Sequence, residues 1–319
     1  MSASLRLIAV LGLATAALAA VTLPGATAAA PGHRTIAVGG SPVHLGIGFG
    51  SVWVLDHRLG IVYRINPQTN RFRRIAVGES LCATPAFGAG AVWVWGCDSN
   101  TTYKINAATN KIVKKVPGIG PVYGAGSLWV IDDSGNVVRV DPSSGLSLAT
   151  IRPGVSVADD GGVAVVGDGT VWVSADTGVS RIDVATNMVT DVIPLPGGKV
   201  SGQVPGGLLG ANYGVFTNGA FWDTNAAGIY KIDTATNTVS RLGVVLHPLS
   251  QFGDVPIAAA DGSLWVRTSD TSIARIDETT GKVTARYPAA GGGGGAVVGF
   301  GSLWNANFAS GTVWRTPIN

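Results

Sequence analysis

Gly48-Phe49-Gly50-Ser51-Val52-Trp53-Val54 decides the fold, because its pattern recurs along the chain. A tryptophan in the same Gly-rich, β-branched setting returns at Trp93, Trp129, Trp172, Trp222, Trp265 and Trp304, at intervals of 40, 36, 43, 50, 43 and 39 residues. Nine to eleven residues beyond each stands a basic residue. In the first six copies it opens a basic, aliphatic, Asp/Asn triplet such as Arg64-Ile65-Asn66, and the seventh copy ends in Arg315-Thr316-Pro317. Within the first copy, period-two alternation between turn signals predicts strands over roughly residues 43–49, 51–57, 60–66 and 71–77. A four-stranded sheet cannot cover both of its faces alone, so seven such units must stack around a ring. The expected fold is therefore all-β: a seven-bladed β-propeller of four-stranded antiparallel blades, with each Trp filling the gap between two of them.

Ring closure is testable in the sequence. The seventh copy supplies three strands, near residues 296–300, 302–307 and 312–317, and then the chain ends. Ile36-Ala37-Val38-Gly39 repeats Ile75-Ala76-Val77-Gly78, the outer strand of the first copy, yet has no blade before it. The N-terminal strand is expected to complete the last blade and leave no open sheet edge.

Arg6, the apolar run over residues 7–21 and the small residues ending in Ala26-Thr27-Ala28 read as a signal peptide cleaved after residue 28. Residues 29–319 then form one exported domain, secreted and without a segment long enough to enter a bilayer. Removing Arg6 leaves 21 basic against 19 acidic residues, dispersed along the chain, which is no footprint for nucleic acid.

The segments Gly48-Phe49-Gly50-Ser51-Val52-Trp53-Val54 and Arg181-Ile182-Asp183-Val184-Ala185-Thr186-Asn187 resemble the repeats of secreted bacterial propellers of the YVTN and virginiamycin B lyase-like group, over residues 34–319. That group mixes lyases, lactonase-like enzymes and binding proteins. In its streptogramin-cleaving lyase, a His base and acidic ligands to Mg²⁺ lie on one face. Here the second strands of the last two blades end in Arg267-Thr268-Ser269-Asp270 and Asn305-Ala306-Asn307-Phe308, with no His or Glu, so no catalytic residue is carried over.

The working face is expected where second strands end and one blade passes to the next. Three residues past each Trp stand Asp56, Gly96, Asp132, Ala175, Asn225, Thr268 and Asn307; one residue past it, five blades have Val, while Asp223 and Asn305 break the pattern. These oxygen donors suit a divalent cation, Mg²⁺ or Ca²⁺, or a polar ligand. Asp and Asn are equally what a strand end selects, because they bond their own backbone. Connections near residues 153–162, 194–213 and 246–256 add Asp159, Asp160, Gln203, Tyr213, His247, Gln251, Phe252 and Asp254, a mixture fit for a small ligand or glycan. His44 and His57 could reach the same mouth beside Asp56. Two functions compete: a monomeric binding or scaffold propeller for a small molecule, glycan or protein segment, and a metal-assisted lyase or lactonase.

Cys82 and Cys97 are the only cysteines. If the hairpin of blade two turns at Ala89-Gly90, residues whose numbers sum to 179 face each other, and these two do. Opposed antiparallel residues lie within disulfide reach. A structural bond, stabilising by about 3 kcal/mol at most, is expected over the competing redox or metal role, because the pair has no nearby His ligands and the protein is exported.

Overall fold

The computed structural model describes residues 32–157, 163–175, 178–195, 202–204, 207–209, 213–225, 228–247, 249 and 257–318. The signal-peptide assignment lies outside these residues, as do Asp159, Asp160, Gln251, Phe252 and Asp254. Seven four-stranded antiparallel sheets follow one another along the chain, and no helix occurs among the described residues. The first blade runs Pro42–Gly48, Ser51–Asp56, Ile61–Ile65 and Phe72–Ala76, close to the expected limits. Innermost strands touch in chain order, and Ala296–Gly299 of the last blade touches Pro42–Gly48 of the first, so the seven close into a ring. A small extra hairpin, Gly202–Val204 with Gly207–Leu209, lies in the connection from blade four to blade five.

Local sequence explains each hairpin. The first and second strands of every blade are joined by a two-residue turn whose second residue is Gly, from Phe49-Gly50 to Phe300-Gly301, and both residues have positive φ at all seven turns. That is the turn whose twist matches paired strands, and the glycine carries the second left-handed position without strain. In the first six blades the third and fourth strands are joined by a turn capped by the Asp or Asn of the recurring triplet. Asn66 Oδ1, for example, accepts the amides of Gln68 and Thr69 at 2.9 and 3.0 Å.

The basic residue of the triplet has a role that its spacing did not reveal. It sits directly across the ladder from its blade's tryptophan, as in Trp53 with Arg64 and Trp304 with Arg315. In all seven blades its cationic head lies over the indole, 4.7 to 5.5 Å from the centroid. The variable nine-to-eleven spacing reflects the length of the intervening loop, since the partners are always opposed. Among the described residues, the heads of Arg64, Lys104, Arg139, Arg181 and Arg315 also bond the turn of the next blade. Arg139 Nη1 donates to Val184 O at 2.7 Å and Asn187 Oδ1 at 3.0 Å, while its Nε donates to Ser127 Oγ at 2.9 Å. Arg315 closes the circle by donating to Pro67 O and to Asn70 Oδ1 of blade one. Arg139→Ala is expected to lower the melting temperature by ~4 to 8 °C, from about 2 kcal/mol of lost charge-assisted bonding and stacking. Arg139→Lys should recover part of this by keeping the cation over Trp129, and two variants melting alike would contradict the stacking role.

The last blade is completed as expected. Ala296–Gly299, Ser302–Asn307 and Thr312–Pro317 are joined by Arg34–Ala37, with Ile36 opposite Val313. The amides of Val38 and Gly39 both donate to Gly311 O, at 3.1 and 2.9 Å. Ile36 and Val38 are buried in a cluster with Leu45, Val54, Tyr63 and Trp304, which joins the last blade to the first.

Candidate functional site

Strand alternation sorts the side chains of each second strand. The tryptophan and the residue two beyond it face the following blade, as when Trp172 stacks on Phe221 at 5.2 Å. Residues one and three beyond it face the preceding blade. Of the polar positions singled out in the sequence, Arg267 meets Asn307 across one blade interface and Asp223 meets Ser174 across another.

Asp56 is fully buried and heavily bonded. Its Oδ1 accepts the amides of Arg58 and Leu59 at 3.0 and 2.8 Å; its Oδ2 accepts Ser41 N at 2.9 Å and the Tyr63 hydroxyl at 3.3 Å. Burial and the Asp56 charge push the Tyr63 phenol up to about 12. Asp132 is spent in a similar way: its Oδ1 accepts the amides of Ser134 and Asn136, both at 2.9 Å. Both carboxylates hold a turn between second and third strands.

Arg267, Asn305 and Asn307 converge between blades six and seven, and all three are buried. The Arg267 guanidinium donates to the carbonyls of Asp270, Ala290 and Ala306 at 3.0, 3.0 and 2.8 Å and to Asn307 Oδ1 at 3.3 Å. Desolvation lowers its pKa to about 10. Asn305 Nδ2 donates to Asn307 Oδ1 at 2.9 Å, whereas Asn305 Oδ1 has no partner among the described residues. Asp223 faces blade four, where Ser174 donates to its Oδ2, while Oδ1 has no partner among the described residues. Burial pushes the Asp223 carboxyl up to about 7.

The remaining positions are scattered. Asn225 closes the strand Ala220–Asn225, and Tyr213 opens Tyr213–Thr217. His247 is exposed, donates its amide to Thr268 O at 2.9 Å, and lines a hollow of about 730 Å³ beside Arg286 at blades five and six. His44 is buried, and desolvation together with neighbouring His57 lowers its pKa to about 3.

Cys82 and Cys97 are disulfide-bonded, with Cα atoms 5.7 Å apart, but not through the expected register. Pairs summing to 179 hold near the turn, as in Ala86 with Trp93. A bulge follows, Ala83 adopting a φ of 58°, and beyond it Cys82 lies opposite Trp95. Cys97 instead donates its amide to Ser80 O at 2.8 Å. The bulge brings the sulfurs together diagonally. His57 stands beside them, one ring nitrogen and both sulfurs lying within 4.8 Å of one another. The expectation that no His lies near the pair is thus overturned, because blade one contributes His57.

A cavity of about 670 Å³ opens on this face between blades two and three. Trp95 and Ile119 line it with Asn100, Asp133 and Ser134 of two adjacent loops and Arg152 of the connection to blade four. Asn100 Nδ2 bridges to Asp133 Oδ1 at 3.1 Å across the blades. Trp95 was legible only as one of two tryptophans left over when seven of nine are assigned to the repeat. Asp132 also lines the cavity, the one candidate of the oxygen ring that does.

The fold is a seven-bladed β-propeller. Solved structures that share it include BamB from Moraxella catarrhalis, 16% identical over 86% of this chain and 82% of that one, with a TM-score of 0.58. Hydrazine synthase from Kuenenia stuttgartiensis is 13% identical over 87% of this chain and 96% of that one, with a TM-score of 0.66. At such identities the likeness is one of fold. No protein-family profile and no curated protein matches the sequence.

Proposed function

We propose that this chain is a secreted binding propeller, of the YVTN and virginiamycin B lyase-like group, that captures a small molecule, a glycan or a short protein segment in the cavity between blades two and three. The observation that carries this reading is the cavity's composition. An indole wall is combined with the amide, carboxylate, hydroxyl and guanidinium groups of Asn100, Asp133, Ser134 and Arg152 on a single face. Its volume falls in the range of small-ligand sites, ~300 to 1,000 Å³. The disulfide and the lack of a membrane-spanning helix among the described residues are compatible with export.

The test is a binding screen of metabolites, oligosaccharides and peptides by calorimetry, repeated on variants for any hit. Arg152 is exposed, so Arg152→Ala should leave the melting temperature unchanged while weakening binding ~10-fold, the loss expected of one charge-assisted contact. Trp95→Ala should weaken it at least as much. A ligand whose affinity is the same in both variants binds elsewhere, and the cavity reading fails.

The second reading, a metal-assisted lyase or lactonase, draws on the uncommitted Oδ1 atoms of Asp223 and Asn305. Against it, Asp56 and Asp132 already accept turn amides, and Asp223 lies between blades four and five while Asn305 and Asn307 lie between blades six and seven. Melting in Mg²⁺ or Ca²⁺ against chelator distinguishes the two. A clear stabilisation by either cation supports the metal reading, and superimposable curves remove its basis.

A further inference from the structure

The His57, Cys82 and Cys97 cluster carries an inference independent of the cavity. Cys82 lies at the start of the inner strand of blade two, Cys97 just past the end of its second strand, and His57 just past the second strand of blade one. Three backbone bonds hold these residues: one within blade one, one between the two blades and one within blade two. His57 N donates to Ser41 O at 3.0 Å, Leu81 N donates to His57 O at 3.3 Å, and Cys97 N donates to Ser80 O. The ring is oriented as well, with His57 Nδ1 3.2 Å from Leu81 O. A proton on Nδ1 given to that carbonyl leaves the ring's lone pair on Nε2, the arrangement that orients a metal-ligating histidine.

We propose that the disulfide masks a soft-metal site: when Cys82–Cys97 is reduced, the two thiolates and His57 bind one Zn²⁺, with water as the fourth ligand. The geometry allows it. A tetrahedral Cys₂His site, with bonds of ~2.3 Å to sulfur and ~2.0 Å to nitrogen, sets its ligand atoms ~3.5 to 3.8 Å apart. Here the three ligand atoms lie within 4.8 Å of one another, and the Cα atoms of the two cysteines are 5.7 Å apart. Opening the bond lets the sulfurs separate into that range by side-chain rotation. All three residues are half-buried, so that both a reductant and an ion can reach them while neighbouring blades limit their motion.

The chemistry balances. An external dithiol attacks the bond by thiol–disulfide exchange, supplies two electrons and leaves as its own disulfide, and each cysteine sulfur takes up a proton. Metal binding then releases both protons as the thiolates form. The oxidised chain retains only the imidazole of the three donors, so affinity for the ion follows the redox state of the bond.

Co²⁺ serves as the spectroscopic probe for zinc. The full mature chain is reduced with a metal-free phosphine, cleared of metal and titrated with Co²⁺, then back-titrated with Zn²⁺. The expected result is thiolate-to-cobalt charge transfer and intense tetrahedral d–d bands, saturating at one ion per chain and bleached by Zn²⁺, with none in the oxidised chain. His57→Gln should weaken cobalt affinity ~10-fold or more and alter the d–d envelope, as the loss of a ligand requires. Far-ultraviolet dichroism and melting of the reduced chain accompany the titration. Absence of charge-transfer bands overturns the proposal, and so does cobalt binding indifferent to His57→Gln, which would mark an ordinary exposed dithiol. If reduction alone unfolds the chain, Zn²⁺ must restore its cooperative melt, and failure to do so overturns the proposal equally.

Discussion

A chain shortened to begin at Gly39 is expected to melt ~10 to 20 °C below one that keeps residues 32–38, on the scale of ~2 to 4 °C per kcal/mol for a domain of this size. Two contributions set the figure. Ile36 and Val38 are buried, and each contributes about 1.5 to 3 kcal/mol by leaving water. The strand ladder to Thr312–Pro317 is lost with them, together with the amide bonds to Gly311 O. The damage exceeds that of trimming an ordinary terminus because the cluster it opens includes Tyr63 and Trp304, which belong to different blades. The truncated chain would also expose Thr312–Pro317 as an unpaired edge, so it should self-associate on standing. Adding a synthetic peptide of residues 32–39 should raise the melting temperature again by pairing in trans. A truncated chain that melts cooperatively at the full protein's temperature would mean that the ring closes without its N-terminal strand.

Asp223→Val is expected to stabilise the protein at pH 8 by about 2 to 4 kcal/mol, with little or no gain near pH 4. The sign follows from burial. The carboxyl is pushed from 3.8 up to about 7, so the folded state holds its proton more tightly than the unfolded chain does. The stability due to that proton is fully present below 3.8, declines as pH rises from there, and is lost above about 7, where the folded protein must carry a buried charge. Ser174 lowers the penalty by donating to Oδ2, and its hydroxyl left without an acceptor in the variant reduces the gain. Valine is the residue that Val54, Val94, Val130, Val173 and Val266 supply at the matching position, so the interface already accepts that shape. His44 acts with the opposite sign. Its pKa is lowered to about 3, so its contribution is lost as pH falls from 6.5 through that value. Chemical denaturation of both proteins from pH 4 to 9 isolates Asp223 as a difference between them, with His44 common to both. A difference constant across that range would show that Asp223 does not titrate as its burial demands.

The sequence by itself determined the architecture, because what specifies a blade is local. Alternation of period two, Gly at the second turn residue and an Asp or Asn cap are each written within a few neighbouring positions. Seven copies of Trp53-type segments then count the blades. Closure by Ile36-Ala37-Val38 was legible for the same reason, as a strand without a blade beside a blade lacking a strand. The Cys82–Cys97 pair was legible as chemistry, but the register behind it was altered by the bulge at Ala83, which a count of residues does not register.

Only the tertiary structure decided where the polar groups spend their bonds, because their partners lie in other blades, tens of residues away. Arg139 shows this most plainly: it is spaced from Trp129 by the sequence, yet its bonds to Val184 and Asn187 exist only once blade four is in place. Asp56 and Asp223 looked alike as strand-end acids, but one is saturated by backbone amides and the other is buried against a single serine. Trp95 and Arg152 gained their shared cavity, and His57 its two sulfur neighbours, from the lateral stacking of blades. Strand alternation fixes which face a side chain leaves by, and only ring closure fixes what it meets there.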